Sequence, residues 1–131
     1  MGIEEITTKI AGLETLENKN KAAKYVCKHE FPELTAVCPV TQLPDFYIMK
    51  LEYEPDDRLI ELKSFKLFLN SFRTDEILHE EITNEILNRL ISAINPRWAK
   101  IEMKVNVRGG IDTTIIRQWD KEKGDIVQRD G

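Results

Sequence analysis

At 131 residues the chain is long enough to bury one hydrophobic core and too short for two independent ones. Charged residues make up 32% and hydrophobic ones 41%, which excludes a disordered chain, and no run approaches the roughly 20 apolar residues a membrane span needs. The net charge of -4 argues against a surface that tracks a nucleic-acid backbone, because such binding rests on many Lys and Arg contacts to phosphate.

The first residues carry Glu4 and Glu5 and no basic region followed by an apolar one, so a signal peptide is not expected and the reading is cytoplasmic. Residues 1-24 read as a polar extension, with Ile3, Ile6, Ile10 and Leu13 at helical spacing and Glu17-Asn18-Lys19-Asn20-Lys21 as a solvated linker. Tyr25 to Lys28 reads as a short strand, after which Phe31-Pro32-Glu33-Leu34, Pro39 and Pro44 predict an irregular loop that holds Cys38. From Phe46 to Tyr53 the side chains of Tyr47, Met49, Leu51 and Tyr53 alternate with Ile48, Lys50 and Glu52, the period of a half-buried strand. Pro55-Asp56-Asp57 predicts a turn and Arg58 to Glu61 a returning strand, giving a hairpin.

A helix follows over about Lys63 to Arg73. At 100° per residue Phe65, Phe68, Leu69 and Phe72 share its core face, while Lys63, Lys66, Asn70 and Arg73 form a stripe on the other. Leu78, Ile82, Ile86, Leu90 and Ile94 repeat every fourth residue in a second helix that stops at Asn95-Pro96. Trp98 to Val107 alternates without a fault, Gly109-Gly110 makes a turn, and Ile111 to Trp119 returns as the last strand before a charged, frayed tail over 120-131. The order of elements predicts an α+β domain: an antiparallel sheet with two helices on one face. So small an open sheet leaves its edges to be paired by further copies, closing a barrel.

Two cysteines, Cys27 and Cys38, in a reducing compartment imply thiols rather than a disulfide. Cys38 on a proline-bounded loop is a candidate nucleophile, since only the thiolate reacts and a polar, exposed setting lowers its pKa; a small buried side chain is the plainer reading of a lone cysteine. Asp45 is a candidate proton donor or a loop carboxylate, and His79 with Glu80 a candidate pair or an ordinary acidic first turn. The stripe Lys63, Lys66, Arg73 can hold phosphates or simply face water. No residue set makes a convincing zinc site.

Taken together these pieces resemble a known family. Glu61-Leu62-Lys63-Ser64-Phe65-Lys66-Leu67-Phe68 agrees at every position with the signature of the QueF family, the NADPH-dependent 7-cyano-7-deazaguanine reductases. The segment Cys38-Pro39 through Leu43-Pro44-Asp45-Phe46 is similar to that family's nucleophile loop. Leu78-His79-Glu80-Glu81, Asn95-Pro96-Arg97 and Arg108-Gly109-Gly110-Ile111 extend the match, which covers about Leu34 to Ile111.

The resemblance implies a tunnel fold in the single-module form, assembled as homo-oligomeric rings with active sites between subunits. By transfer, Cys38 adds to the nitrile carbon of 7-cyano-7-deazaguanine to give a thioimide, with Asp45 as proton donor and His79 assisting. Ile60, Glu61, Leu62, His79 and Glu80 hold the substrate; Lys63, Ser64, Lys66 and Arg73 hold NADPH. Gln42 stands where the family has Gly, which predicts a slightly different loop backbone. Related possibilities are a QueF-like amidinotransferase acting on nitrile-bearing tRNA, a non-catalytic purine-binding module and a cyclohydrolase. The intact signature and the acidic charge favour the reductase.

Overall fold

The computed structural model describes residues 13-127, and the helix read over Ile3, Ile6 and Ile10 lies outside them. Strand β1 (Thr15–Glu17) is followed by β2 (Cys27–Val37), β3 (Pro44–Glu54) and β4 (Arg58–Ile60). Helix α1 (Leu62–Asn70) runs on into a 3-10 turn (Ser71–Thr74), and helix α2 (His79–Ile94) precedes β5 (Trp98–Arg108), β6 (Ile111–Asp120) and β7 (Gly124–Ile126). The main sheet has the order β2-β3-β5-β6-β7 with antiparallel neighbours.

Strand alternation decides what the sheet buries. β3 and β5 pair Tyr47 with Val105, Met49 with Met103, Leu51 with Ile101 and Tyr53 with Ala99, and all of these are buried. Onto this face α1 and the 3-10 turn pack Phe65, Phe68, Leu69 and Phe72, and α2 packs Ile82, Ile86, Leu87, Leu90 and Ile94. Each such side chain contributes about 1.5–3 kcal/mol by leaving water. The expected arrangement of two helices on one sheet face is therefore present. The opposite face carries Lys28–Glu52 at 3.0 Å, Lys50–Glu30 at 3.8 Å and Lys50–Glu102 at 3.9 Å. Half-buried Ile48, out of pattern in the sequence, lies across from Lys104 on that ionic face.

Several expectations are corrected. Arg58–Ile60 does not form a hairpin with the preceding strand; it pairs with β1 in a separate two-stranded sheet, because both edges of β3 are already occupied by β2 and β5. β2 does not break at Pro32. It runs on to Val37 through an irregularity between Phe31 and Leu34, which Pro32 tolerates because β2 is an edge strand. The cationic helix ends at Asn70, and Arg73 sits on the 3-10 turn.

The run Glu17 to Lys21 is exposed except at Asn18, and among the described residues the tail is paired rather than frayed. Asn18 is 5% exposed: its Nδ2 donates to the Asp56 carbonyl at 2.8 Å, and its Oδ1 accepts from the Tyr25 hydroxyl at 2.6 Å. β7 pairs with β6, and Arg117 Nε donates to Asp125 Oδ1 at 2.9 Å. Asp56 gathers these segments, with Lys121 Nζ at 2.6 Å, Lys21 Nζ at 3.7 Å and Arg97 Nη2 at 3.8 Å from its carboxylate.

The hydrogen bond from Lys121, and the charges of Lys121, Lys21 and Arg97, hold the Asp56 carboxyl below its ordinary value. A carboxyl lowered on folding adds stability that is complete above its unfolded pKa, about 3.9, and disappears as pH falls through the folded value. Asp56→Asn is accordingly expected to lower unfolding free energy by about 1 kcal/mol at pH 7. The difference should vanish in acid denaturation series below about pH 3; a deficit that persists there would mean the contribution is not ionic.

Candidate active site

The β2–β3 hairpin carries Cys38 at its tip. The Cys38 amide donates to the Leu43 carbonyl at 2.9 Å and the Gln42 amide returns to the Cys38 carbonyl at 2.8 Å, closing a tight loop between Pro39 and Pro44. Gln42 occupies that loop at φ 61°, the left-handed region that glycine enters at no steric cost and other residues enter at about 1–2 kcal/mol. Gln42 thus holds under strain a conformation that glycine would take freely. Cys38 is half-buried and not in a disulfide. Hydrogen bonds from the Thr41 hydroxyl and from the Thr41 and Val40 amides lower its thiol below the ordinary 9.0, while slight desolvation and the Asp45 charge oppose them. The Thr41 amide lies 3.5 Å from Sγ.

Asp45 is one residue into β3, paired with Ala36, and 4% exposed. It shares the helix-covered side with Tyr47. The segment between the helices brings α2 to this end of the sheet: the Val37 amide donates to Asp75 O and the Ile77 amide to Val37 O. The first residue of α2, His79, then stands with Nδ1 at 2.7 Å from the Tyr47 hydroxyl and 3.9 Å from Asp45 Oδ2. Glu80 is exposed beside it in the first helical turn, where the helix dipole favours a carboxylate.

Arg73, on the turn just before Asp75, lies toward this same end, whereas Ile60, Glu61 and Leu62 lie at the other end of the sheet. The Ile60 amide donates to the Tyr53 hydroxyl at 3.2 Å, and Tyr53 is eight residues along β3 from Asp45, roughly 27 Å of extended strand. Glu61 caps α1, its carboxylate accepting from Lys63 N at 2.6 Å and Ser64 N at 2.9 Å; a cap of this kind contributes about 1 kcal/mol. Leu62 is exposed beside a cavity of about 290 Å³ lined also by His29, Phe31, Phe65, Lys66 and Leu69, where burial lowers the His29 imidazole.

Lys63, Lys66 and Arg73 are exposed, and no ion pair among the described residues involves them. Ser64 departs from this group. It is buried, donates to the Glu61 carbonyl at 2.9 Å and accepts from the Glu14 amide at 3.0 Å, so its hydroxyl fastens the chain.

Within one chain the structure therefore assembles Cys38, Asp45 and His79, with Glu80 adjacent, and keeps Ile60, Glu61, Leu62, Lys63 and Lys66 apart from them. It adds Tyr47, which sequence alternation assigns only to the core. The available signal was its parity with Asp45 on one strand. A constellation of partly exposed thiol, buried carboxyl and imidazole can add sulfur to an electrophilic carbon and protonate the atom that becomes negative.

A family model described as QueF-like protein matches residues 44–124. The NADPH-dependent 7-cyano-7-deazaguanine reductase of Alkalilimnicola ehrlichii is 45% identical over 109 residues, covering 83% of this chain and 84% of that protein. The enzyme of the same name from Halorhodospira halophila is 47% identical over 103 residues, covering 79% and 87%. Among solved structures, the archaeosine synthase QueF-Like in the apo form superposes with a TM-score of 0.67 at 26% identity, covering 71% of this chain and 91% of that one. The sheet with its two helices is the tunnel fold.

Proposed function

This chain belongs to the QueF family, and from that premise we propose that it reduces the nitrile of 7-cyano-7-deazaguanine to an aminomethyl group with NADPH, as a step in making a modified tRNA base, queuosine. The observation that carries the reading is Cys38, its thiol lowered by the Thr41 hydroxyl and its neighbour a buried carboxyl. Relatives more than 40% identical over most of their length bear the reductase name.

Cys38 sulfur adds to the nitrile carbon as the third C–N bond opens, and Asp45 supplies the proton to the nitrogen, leaving a neutral thioimide. Water is a poor substitute there, because Asp45 is 4% exposed and its proton is delivered without reorganising solvent. The Asp45 charge opposes the Cys38 thiolate, so passing the Asp45 proton to substrate is coupled to the sulfur giving up its negative charge in the new C–S bond. NADPH, when bound, supplies two hydrides in succession. Each hydride is matched by a proton from solvent at nitrogen; between the two the C–S bond breaks, a nitrogen hydrogen passes to sulfur, and Cys38 leaves as the thiol with a C=N bond formed on the substrate. Exposed Glu80 accepts from the guanine-like edge, with Glu61 at the base pocket.

The exposed Lys63, Lys66 and Arg73 suit the phosphates of the cofactor, which need cations not already neutralised. Lys66→Ala is expected to raise KM for NADPH about tenfold with little change in kcat; an unaltered KM in steady-state assays would remove the stripe from the cofactor site. The roughly 27 Å between Asp45 and the Ile60 end supports a site closed by a second copy, whose Ile60–Leu62 segment reaches Cys38. Sedimentation of the active protein as a monomer would defeat that arrangement.

The test of function is loss of NADPH absorbance with 7-cyano-7-deazaguanine, two equivalents for each aminomethyl product. No NADPH oxidation, together with ammonia-dependent product on a nitrile-bearing tRNA, would instead support the activity of the structural neighbour, an archaeosine synthase.

A further inference from the structure

The proposed reaction uses Cys38, Asp45, His79 and Glu80 and leaves unexplained a tyrosine two residues after Asp45. Tyr47 is 1% exposed, yet its hydroxyl is spent on the ring of His79 at 2.7 Å. We propose that Tyr47 is a positioning residue, donating its hydroxyl hydrogen to Nδ1 so that His79 is held in the tautomer with its proton on Nε2. The consequence for turnover rests on the reductase reading; the tautomer itself rests on geometry.

Two donor assignments are open to a neutral imidazole facing a phenol: O–H to Nδ1, or Nδ1–H to the phenolic oxygen. A phenol is the stronger donor, and an imidazole nitrogen the stronger acceptor. The separation of 2.7 Å also falls in the range of hydroxyl donors, whereas N–H donors centre near 2.9–3.0 Å. The imidazole stands edge-on to the tyrosine ring, with centroids 5.4 Å apart at 77°. At its own backbone, His79 O accepts from Thr83 Oγ1 at 2.7 Å. Ring and backbone are both anchored, so Nδ1 stays turned to the core while the 31% exposed side chain presents its other edge outward.

Asp45 adjoins this arrangement. Its Oδ2 lies 3.9 Å from Nδ1, so a hydrogen on that nitrogen would turn a donor toward the Asp45 carboxyl group. With the Tyr47 hydrogen directed at Nδ1, that nitrogen presents no donor to Asp45. His79 in turn offers an N–H donor from Nε2 at the open side of the site, where a substrate heteroatom can accept it. Glu80 and Glu81 on the same helical turn are exposed, and the β3 groups Tyr47 and Asp45 face the inner edge of the ring.

The chain has two histidines, so a magic-angle-spinning 15N spectrum of histidine-labelled protein contains two imidazoles, whatever the size of the assembly. A His79→Asn sample identifies which is which. At neutral pH the expected wild-type result is an unprotonated, hydrogen-bonded Nδ1 and a protonated Nε2 for His79. Tyr47→Phe keeps the buried ring and should give mixed tautomers, with kcat about tenfold lower and substrate KM within about twofold.

A protonated Nδ1 in the wild-type spectrum overturns the proposal without any variant. So does a Tyr47→Phe protein whose tautomer or kcat is unchanged. Failure of the wild type to oxidise NADPH with 7-cyano-7-deazaguanine would instead sink the reductase reading, and the spectrum would still decide the role of Tyr47.

Discussion

Replacing Cys38 with alanine is expected to lower turnover by roughly 10⁴-fold or more, the scale of removing a covalent nucleophile, while leaving the fold within about 0.5 kcal/mol of wild type. The side chain sits at a hairpin tip, half-buried and outside the core cluster, so its sulfur has little packing to lose. The loop is closed by the backbone bonds between Cys38, Gln42 and Leu43, which alanine keeps. Mass spectrometry of wild type with substrate and no cofactor should show an adduct on Cys38, absent from the variant. The thiol is held below its ordinary 9.0 by Thr41, so thiolate persists as pH falls below that value. Its alkylation should be half-maximal below that pH; retained turnover in Cys38→Ala would end the covalent mechanism.

Asp45→Asn should cost about 10²–10⁴-fold in kcat, the usual worth of a positioned general acid. The amide has nearly the shape of the carboxyl, so the buried site paired with Ala36 is retained. The charge of Asp45 opposes the Cys38 thiolate; removing it should let the thiol ionise at still lower pH. The variant is therefore expected to alkylate more readily than wild type in mild acid while turning over far more slowly. That opposite movement separates a proton donor from a group that merely activates sulfur. Equal losses in thiol reactivity and turnover would assign Asp45 to activation, and undiminished kcat would remove it from the chemistry.

Much of this site was legible in the chain. The spacing from Cys38 to Asp45, the His79-Glu80 pair and the Glu61 to Phe68 signature are local patterns, and the strand and helix on which they lie follow from periods of two and 3.6 residues. The core face Phe65, Phe68, Leu69 and Phe72 was readable in the same way and is buried. Ser64 shows the limit of a motif: it shares the signature with Lys63 and Lys66 but lies 100° around the helix from Lys63, turned to the Glu14 amide. Tyr47 shows the reverse, a residue that alternation consigns to packing and that the N-terminus of α2 converts into a hydrogen-bond donor.

Which strands pair was not legible. Arg58–Ile60 has the composition of a hairpin partner for β3, yet it joins β1 because β2 and β5 hold both sides of β3. The polar run around Asn18 and the charged run after Trp119 look like solvated ends in the sequence. They are ordered by Asp56, whose partners Lys21, Arg97 and Lys121 come from widely separated positions.

By itself, the sequence determined the two helices, the strands at β3, β5 and β6, the faces they bury and the residue types available for chemistry, because these depend on side-chain spacing within a few turns or pleats. Only the tertiary structure decided that His79 meets Tyr47 and Asp45, that Glu61 caps a helix, and that Ile60, Glu61 and Leu62 stand far from the thiol. Those outcomes depend on hydrogen-bond partners and free strand edges supplied by distant parts of the chain.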